Sequence, residues 1–121
     1  MTTIPHTVLL MEDEADIREA IEEVLASEGF CVVSVPDGEA GLAWLAGGGQ
    51  PAVVLLDMVM PRLSGWDVIE RLRGDPRLAA LKVVAMSGAS EVRGPLAAVL
   101  QKPFELSALV DTVRRLAGAG A

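Results

Sequence analysis

Residues 52–65 read AVVLLDMVMPRLSG, and this stretch decides the fold class. The run AVVLL has no alternation of apolar and polar positions, which is typical of a strand in a parallel sheet that is covered on both faces. Asp57 follows the run directly. Beyond it, residues 64–73 show a helical pattern that ends before Asp75-Pro76. The stretch therefore predicts a buried strand, a loop that begins with an aspartate, and a helix.

The same succession of a short apolar run and a helical segment extends in both directions along the chain. Apolar runs predict four more strands, at 7–11, 30–35, 82–86 and 98–101. Apolar residues with helical spacing form three further stripes, at 17–25, 42–46 and 106–116. Gly29 is expected to end the first helix, and Asp37 to cap the second. The alternation predicts an α/β fold, in which helices cover both faces of a parallel sheet.

Length, net charge and cysteine count limit the classes of protein to which this chain can belong. The 121 residues carry a net charge of −7 and include one cysteine. We expect a single domain over 1–121, with a core at 7–116 and a frayed tail. The acidic charge argues against direct nucleic-acid binding, and no apolar run reaches the roughly 18 residues of a membrane span. A single cysteine and the absence of a signal-peptide pattern favour the cytoplasm.

Polar residues stand where four of the five predicted strands end. Glu12 and Asp13 follow the first strand, Asp57 the third, Ser87 the fourth and Lys102 the fifth. Since the carboxyl ends of parallel strands lie along one edge of the sheet, these five side chains are expected to meet there. Crowded carboxylates repel one another, and at least one would hold a proton unless a divalent cation, Lys102 or both neutralise them. Oxygen ligands without histidine or cysteine favour Mg²⁺ as the cation. A hydroxyl and an ammonium group opposite such an ion suit a phosphoryl group.

Each of these residues also has an ordinary structural interpretation. The acids at 12–14 could cap the first helix, Asp57 and Ser87 could be turn residues, and Lys102 could lie on the surface. We favour a shared site because every one of these positions directly follows a predicted buried strand.

Four motifs together resemble the receiver domain of a two-component response regulator: VLLMEDEADIRE, VVLLDMVMPRLSGWD, VVAMSGA and VLQKPF. The resemblance covers essentially the whole chain. It implies a doubly wound five-stranded parallel sheet with the flavodoxin-like order 2-1-3-4-5. It also implies a phospho-accepting signalling module that is not a conventional enzyme. Its partners would be a sensor histidine kinase or a histidine phosphotransfer protein, and a downstream protein that the sequence does not identify.

The resemblance assigns the phosphoryl chemistry to three residues. Asp57 matches the phosphoacceptor, the nucleophile that takes a phosphoryl group from a phosphohistidine. Ser87 matches the residue whose hydroxyl binds the phosphoryl group, and Lys102 matches the lysine that pairs with one of its oxygens. The peptide bond between Lys102 and Pro103 would then be cis.

The resemblance also implies a site for Mg²⁺, which Mn²⁺ could replace. Asp13 matches the acid that binds the ion directly, together with Asp57, and Glu12 matches the acid that acts through a metal-bound water. Val59 matches the position whose backbone carbonyl joins the metal. The apolar side chains of Val59 and Ala89 cannot position water beside the phosphoryl group, so self-dephosphorylation is expected to be slow.

Two features depart from the family pattern. Fourteen residues, 88–101, separate Ser87 from Lys102, fewer than the family usually has, and they include Gly94-Pro95. Since a crossover with its helix needs at least ~10–12 residues, we expect the fourth helix of the family to be truncated or missing. Val99 stands where the family commonly has a Tyr or Phe that swings inward. We therefore expect output to use a different face or a disorder-to-order change in the connection between Ser87 and Lys102. Any homodimer is expected to use a surface other than the usual fourth-helix face.

Three other functions were weighed against a phospho-accepting receiver. An aspartyl-phosphate phosphatase would carry an Asp-x-Asp motif after the first strand, and a flavodoxin-like cofactor binder would carry a phosphate-binding loop there; this chain has acids instead. A receiver-like scaffold with vestigial or atypical phosphorylation is the remaining alternative, because the aromatic residue of the relay is replaced by Val99.

Overall fold

The structure is a computed structural model that describes residues 6–88 and 96–118. These residues form five strands and four helices. In chain order they are β1 Thr7–Met11, α1 Ala15–Ser27, β2 Cys31–Val35, α2 Gly38–Ala46, β3 Val53–Asp57, α3 Gly65–Arg73, β4 Val83–Ser87, β5 Ala98–Gln101 and α4 Leu106–Ala117. The predicted alternation of strands and helices is confirmed.

The five strands form one parallel sheet in the order β2-β1-β3-β4-β5, as the resemblance implied. β3 lies in the middle, and each of its residues is buried. Its uninterrupted apolar run reflects this position, because a central strand with helices on both sides has no face that contacts water.

The two faces of the sheet support two separate cores. On one face, Leu10 packs with Ile21 of α1 and Leu109 of α4. On the other face, Met11 packs with Leu45 of α2 and with residues of α3. Neighbouring residues of one strand point to opposite faces, so β1 contributes to both cores. The fold is therefore doubly wound, and the carboxyl ends of all five strands lie along one edge of the sheet, where a site can form.

Local signals place the helix ends as the sequence predicted. The Asp37 side chain accepts a hydrogen bond from the backbone of Ala40 and caps α2, and Gly29 after α1 has a φ of 93°. Ser64 and Asp67 form a reciprocal capping box at α3. Three strands are displaced by one residue from the prediction: β2 begins one residue later, and β3 and β4 both begin and end one residue later. As a result Asp57 and Ser87 are the last residues of β3 and β4 instead of the first residues after them.

The four helices of the described residues fit a fourth family helix that is truncated or missing. That helix would lie between β4 and β5, and residues 89–95 of this connection lie outside the described residues. The flanking residues 88, 96 and 97 are not helical. The last helix, α4, follows β5. Among the described helices, none combines the length and the hydropathy that crossing a membrane would take.

Candidate functional site

The carboxyl edge of the sheet gathers the buried polar side chains of the described residues. Three such side chains are buried, those of Glu12, Asp57 and Ser87, with exposed fractions of 0%, 2% and 5%. They come from the ends of β1, β3 and β4, and Lys102 joins them from the end of β5. Burying polar groups is costly unless they are paired, so their concentration at one edge marks a built site.

Lys102 links the two buried acids. Its Nζ lies 3.3 Å from Asp57 Oδ1 and 3.5 Å from Glu12 Oε1. Backbone groups contact the same carboxylates: the Glu14 N–H donates to Glu12 Oε2 over 3.1 Å, and the Val59 N–H donates over 3.1 Å to Asp57 Oδ1, the oxygen that also accepts from Lys102. Asp57 and Glu12 are therefore fixed in direction by both ionic and backbone contacts.

Charge crowding alters the protonation of this cluster. Burial, a hydrogen bond with Asp57 and repulsion from its charge raise the pKa of Glu12 from 4.5 to about 7, against the lowering effects of the Glu14 N–H and of Lys102. Burial works to lower the pKa of Lys102, but the attraction of Asp57 and Glu12 outweighs it and the pKa is raised. One ammonium group therefore does not fully neutralise the charge of the clustered acids.

The acids could bind a second cation. Oxygen atoms of Glu12, Asp13 and Asp57 all lie within 4.8 Å of one another, and Asp13 is exposed to solvent. An oxygen-only donor set of this kind suits a hard divalent ion such as Mg²⁺. Val59 follows on the loop beside Asp57, and its side chain is 77% exposed. Glu14 is the N-cap residue of α1, but its side chain makes no cap hydrogen bond.

Ser87 and Lys102 are joined through their backbones. The Lys102 N–H donates to the Ser87 carbonyl over 2.7 Å, immediately after the pairing of Ser87 with Gln101. The Lys102–Pro103 peptide is cis, as the resemblance implied. The hydroxyl residue and the lysine therefore occupy neighbouring strand ends in a fixed register.

Two arginines support the loops of the site, and the sequence analysis missed both. Arg18 of α1 donates from Nη1 to the carbonyl oxygen of Glu12 over 2.9 Å. Arg62, in the loop after Asp57, pairs with two acids near the start of α2. The signal for Arg18 was its position one turn into the helix that follows the acids. No sequence signal marked Arg62, because its partners lie more than twenty residues away along the chain.

Val99 was expected to alter the switch and Ala89 to slow dephosphorylation, and of the two only Val99 lies within the described residues. Val99 lies on β5 with its side chain 40% exposed, in place of the aromatic residue expected from the family pattern. Ala89, the second residue expected to limit dephosphorylation, lies outside the described residues.

Comparison with known proteins identifies the family. The family model of the response regulator receiver domain matches residues 8–114, which is most of the chain. The chain belongs to the receiver-domain family. Receiver domains are signalling modules and not conventional enzymes, and this one carries the acidic pocket described above.

Relatives of this receiver domain are response regulators and transcriptional regulators. The response regulator MprA of Mycolicibacterium vanbaalenii is 34% identical over 119 residues, covering 93% of this chain and 51% of that protein. The transcriptional regulatory protein CseB of Streptomyces coelicolor is 32% identical over 111 residues, covering 88% and 47%. The chain thus spans about half the length of the curated relatives it matches.

Solved structures of receiver domains share the fold. A receiver domain of a CheY-like response regulator from Methanospirillum hungatei superposes with a TM-score of 0.81 at 26% identity, over 94% of this chain and 95% of the other. The receiver domain of the sensor histidine kinase PA1611 from Pseudomonas aeruginosa, solved with a magnesium ion in its active site cleft, gives a TM-score of 0.83 at 24% identity, over 95% and 99%.

Proposed function

We propose that Asp57 accepts a phosphoryl group from the phosphohistidine of a sensor histidine kinase or a histidine phosphotransfer protein, and that the phosphorylated form changes its binding to a downstream protein. The observation that carries the proposal is that Lys102 Nζ lies 3.3 Å from Asp57 Oδ1, while oxygen atoms of Asp57, Glu12 and Asp13 lie within 4.8 Å of one another. A buried carboxylate that contacts a lysine and belongs to a cluster of possible metal ligands suits a phosphoryl acceptor, because cations beside it can neutralise the added charge.

The transfer is a displacement at phosphorus. A carboxylate oxygen of Asp57 attacks the phosphorus atom, the bond from phosphorus to the histidine nitrogen breaks, and the nitrogen leaves with the electron pair. Lys102 turns from the two carboxylates to one phosphoryl oxygen, and the Ser87 hydroxyl donates to another. The Val59 N–H, now bonded to Asp57 Oδ1, helps to orient the nucleophile.

A divalent ion is part of the proposal. Asp13 and Asp57 would bind Mg²⁺, or Mn²⁺, directly, Glu12 through a water, and Val59 through its carbonyl. When bound, the ion would neutralise charge that develops on the phosphoryl oxygens. The single lysine leaves the pKa of Glu12 raised to about 7, which supports the need for this second cation.

Phosphorylation can act as a switch because it adds contacts that the free protein lacks. The modification adds roughly −1.5 to −2 charge at pH 7. Lys102 and the Ser87 hydroxyl then gain charge-assisted hydrogen bonds that exist only in the phosphorylated state, and such differential contacts shift a conformational equilibrium. The proposal includes a cytoplasmic location, supported by the single cysteine, and slow self-dephosphorylation, supported by the exposed apolar side chain of Val59.

Intact-mass measurement tests the phosphoacceptor. The protein is incubated with Mg²⁺ and acetyl phosphate, and a gain of one phosphoryl mass is expected. The Asp57→Asn variant should gain none, whereas Asp111→Asn, which changes an exposed acid on α4, should behave like the wild type. An unmodified wild-type mass in the presence of Mg²⁺ would overturn the proposal.

The replacement of the aromatic residue by Val99 favours a second candidate, a receiver-like scaffold whose phosphorylation no longer switches binding. A pull-down with and without beryllofluoride separates the two functions. Partners that bind only the beryllofluoride form support the switch. A set of partners that is the same in both forms would support the scaffold.

A further inference from the structure

The loop that joins β3 to α3, residues 58–64, folds back tightly on the end of β3. The Gly65 N–H donates to the Met58 carbonyl over 3.1 Å, and the Val59 N–H donates to Asp57 Oδ1. A Cβ atom at Gly65 would come within 2.6 Å of the Met58 Cα. The loop therefore has little freedom to shift without shifting Asp57 and the backbone of Val59.

The turn in the middle of this loop has an unfavourable backbone conformation. Arg62 has a φ of 66°, and it is the one non-glycine residue with a positive φ among those the structure describes. The Leu63 N–H donates to the Pro61 carbonyl over 2.9 Å, which makes a γ-turn centred on Arg62. The γ-turn with a positive central φ is rare and strained, and glycine adopts positive φ more readily than arginine. Contacts elsewhere must hold such a turn in place.

The Arg62 side chain supplies these contacts. Its Nη2 lies 3.0 Å from Asp37 Oδ2, and its Nε lies 3.1 Å from Glu39 Oε1. The other oxygen of Asp37 caps α2, so both acids belong to the beginning of that helix. The same helix start packs on the loop, since a Cβ at Gly38 would lie 3.3 Å from Leu63 Cβ. The loop after Asp57 is thus tied ionically to α2 at the position of its strained residue.

We propose that Arg62 is a positioning residue for the phosphoacceptor loop. Its ion pairs with Asp37 and Glu39 hold the γ-turn in its strained form and thereby hold Asp57 and Val59 in the geometry that metal and phosphoryl binding require. Arg62 acts through the backbone of the loop. The part of this inference that concerns metal and phosphoryl binding rests on the proposed function.

Three variants separate the ionic contact from the backbone conformation. Arg62→Ala removes the ion pairs and keeps the unfavourable φ. Arg62→Gly removes the ion pairs but accepts a positive φ without strain. Asp37→Asn keeps an oxygen for the cap of α2 and removes the negative charge. The Arg62 side chain is 63% exposed, and Asp37→Asn keeps the size and the capping oxygen of the less exposed Asp37, so none of these changes is expected to unfold the protein, which urea denaturation would verify.

Amide exchange in the metal-free protein, resolved by NMR, is the deciding measurement. In Arg62→Ala we expect the Leu63 and Gly65 amides to exchange about three- to tenfold faster, the effect of losing two exposed ion pairs, while the Leu55 amide of β3 is unchanged. In Arg62→Gly the exchange should stay within about twofold of the wild type, because the turn no longer needs to be held. Mg²⁺ affinity, measured by calorimetry, should fall in the same order.

The double variant completes the test. Asp37→Asn should accelerate exchange in the wild-type background and have no effect in the Arg62→Gly background. Equal exchange in Arg62→Ala and the wild type would overturn the inference, and so would an Arg62→Gly variant as fast as Arg62→Ala. Neither metal nor phosphoryl donor enters the deciding measurement. A wild-type protein that accepts no phosphoryl group would therefore count against the proposed function alone.

Discussion

Binding of Mg²⁺ is predicted to release a proton from Glu12. In the metal-free protein the pKa of this carboxyl is raised to about 7 by burial and by its neighbour Asp57, so the proton belongs to the pair of acids. At a pKa of about 7, about nine tenths of the molecules carry the proton at pH 6 and about one tenth at pH 8. A divalent ion that binds only when both acids are ionised must displace this proton. The apparent affinity of the ion should therefore be about tenfold higher at pH 8 than at pH 6.

Titration calorimetry in two buffers of different ionisation enthalpy measures this directly. We expect about 0.9 protons released per Mg²⁺ at pH 6 and about 0.1 at pH 8. The control is Glu12→Gln, which keeps the size of the side chain and has no proton to lose, so its affinity should not change over this range. Equal affinities of the wild type at the two pH values, or the same pH dependence in Glu12→Gln, would refute the reasoning.

Three further predictions concern stability. A raised carboxyl pKa means that folded Glu12 binds its proton more tightly than unfolded Glu12, so its contribution to stability is present below pH 4.5 and is lost as pH rises to about 7. Urea unfolding of the metal-free protein should therefore show at most about 3 kcal/mol less stability from this group at pH 8 than at pH 4. The loss should be absent in Glu12→Gln. Gly65→Ala should lower the free energy of unfolding by about 1–3 kcal/mol in the same assay, because its Cβ would lie 2.6 Å from the Met58 Cα. Gly88→Ala, whose Cβ would have nothing within 4 Å, should lower it much less, and equal effects would contradict the packing argument. Lys82→Met should lower the thermal stability by about 0.3–1 kcal/mol, because Lys82 Nζ donates to the Leu116 carbonyl at the end of α4 over 2.7 Å; an unchanged melting temperature would show that this contact adds nothing.

The sequence was sufficient for the fold because its apolar pattern depends on position in the sheet. A central strand buried on both faces requires a run such as 53–56, and the helices around it require stripes of period 3.6. The first and last residues of the strands do not follow from the apolar pattern. Whether Asp57 ends β3 or follows it depends on one backbone hydrogen bond, from the Met58 N–H to the Met86 carbonyl. No residue pattern encodes that bond.

The sequence predicts which residues form the candidate site, but it does not predict which of the acids keeps a proton. Asp57, Ser87 and Lys102 were recognisable because each ends or follows a strand of the sheet, and parallel topology brings such positions together. β3 and β4 are buried throughout, whereas only Leu100 is buried in the edge strand β5. Crowding of the acids predicts that one of them tends to keep a proton, but that this acid is Glu12, with a pKa raised to about 7, depends on its burial and its contact with Asp57. The role of Arg62 also required the structure, because a positive φ at an arginine has no signature in the sequence.

The backbone hydrogen bond from Lys102 to the Ser87 carbonyl has a consequence for how this chain can diverge. The two strand ends keep their spacing through the pairing of β4 with β5, so the length of chain between them is not what positions the hydroxyl and the ammonium group. Insertions and deletions in that connection can accumulate while the chemistry at the edge stays the same. A shorter connection between β4 and β5 is therefore compatible with an unchanged spacing of the Ser87 hydroxyl and the Lys102 ammonium group at the edge of the sheet.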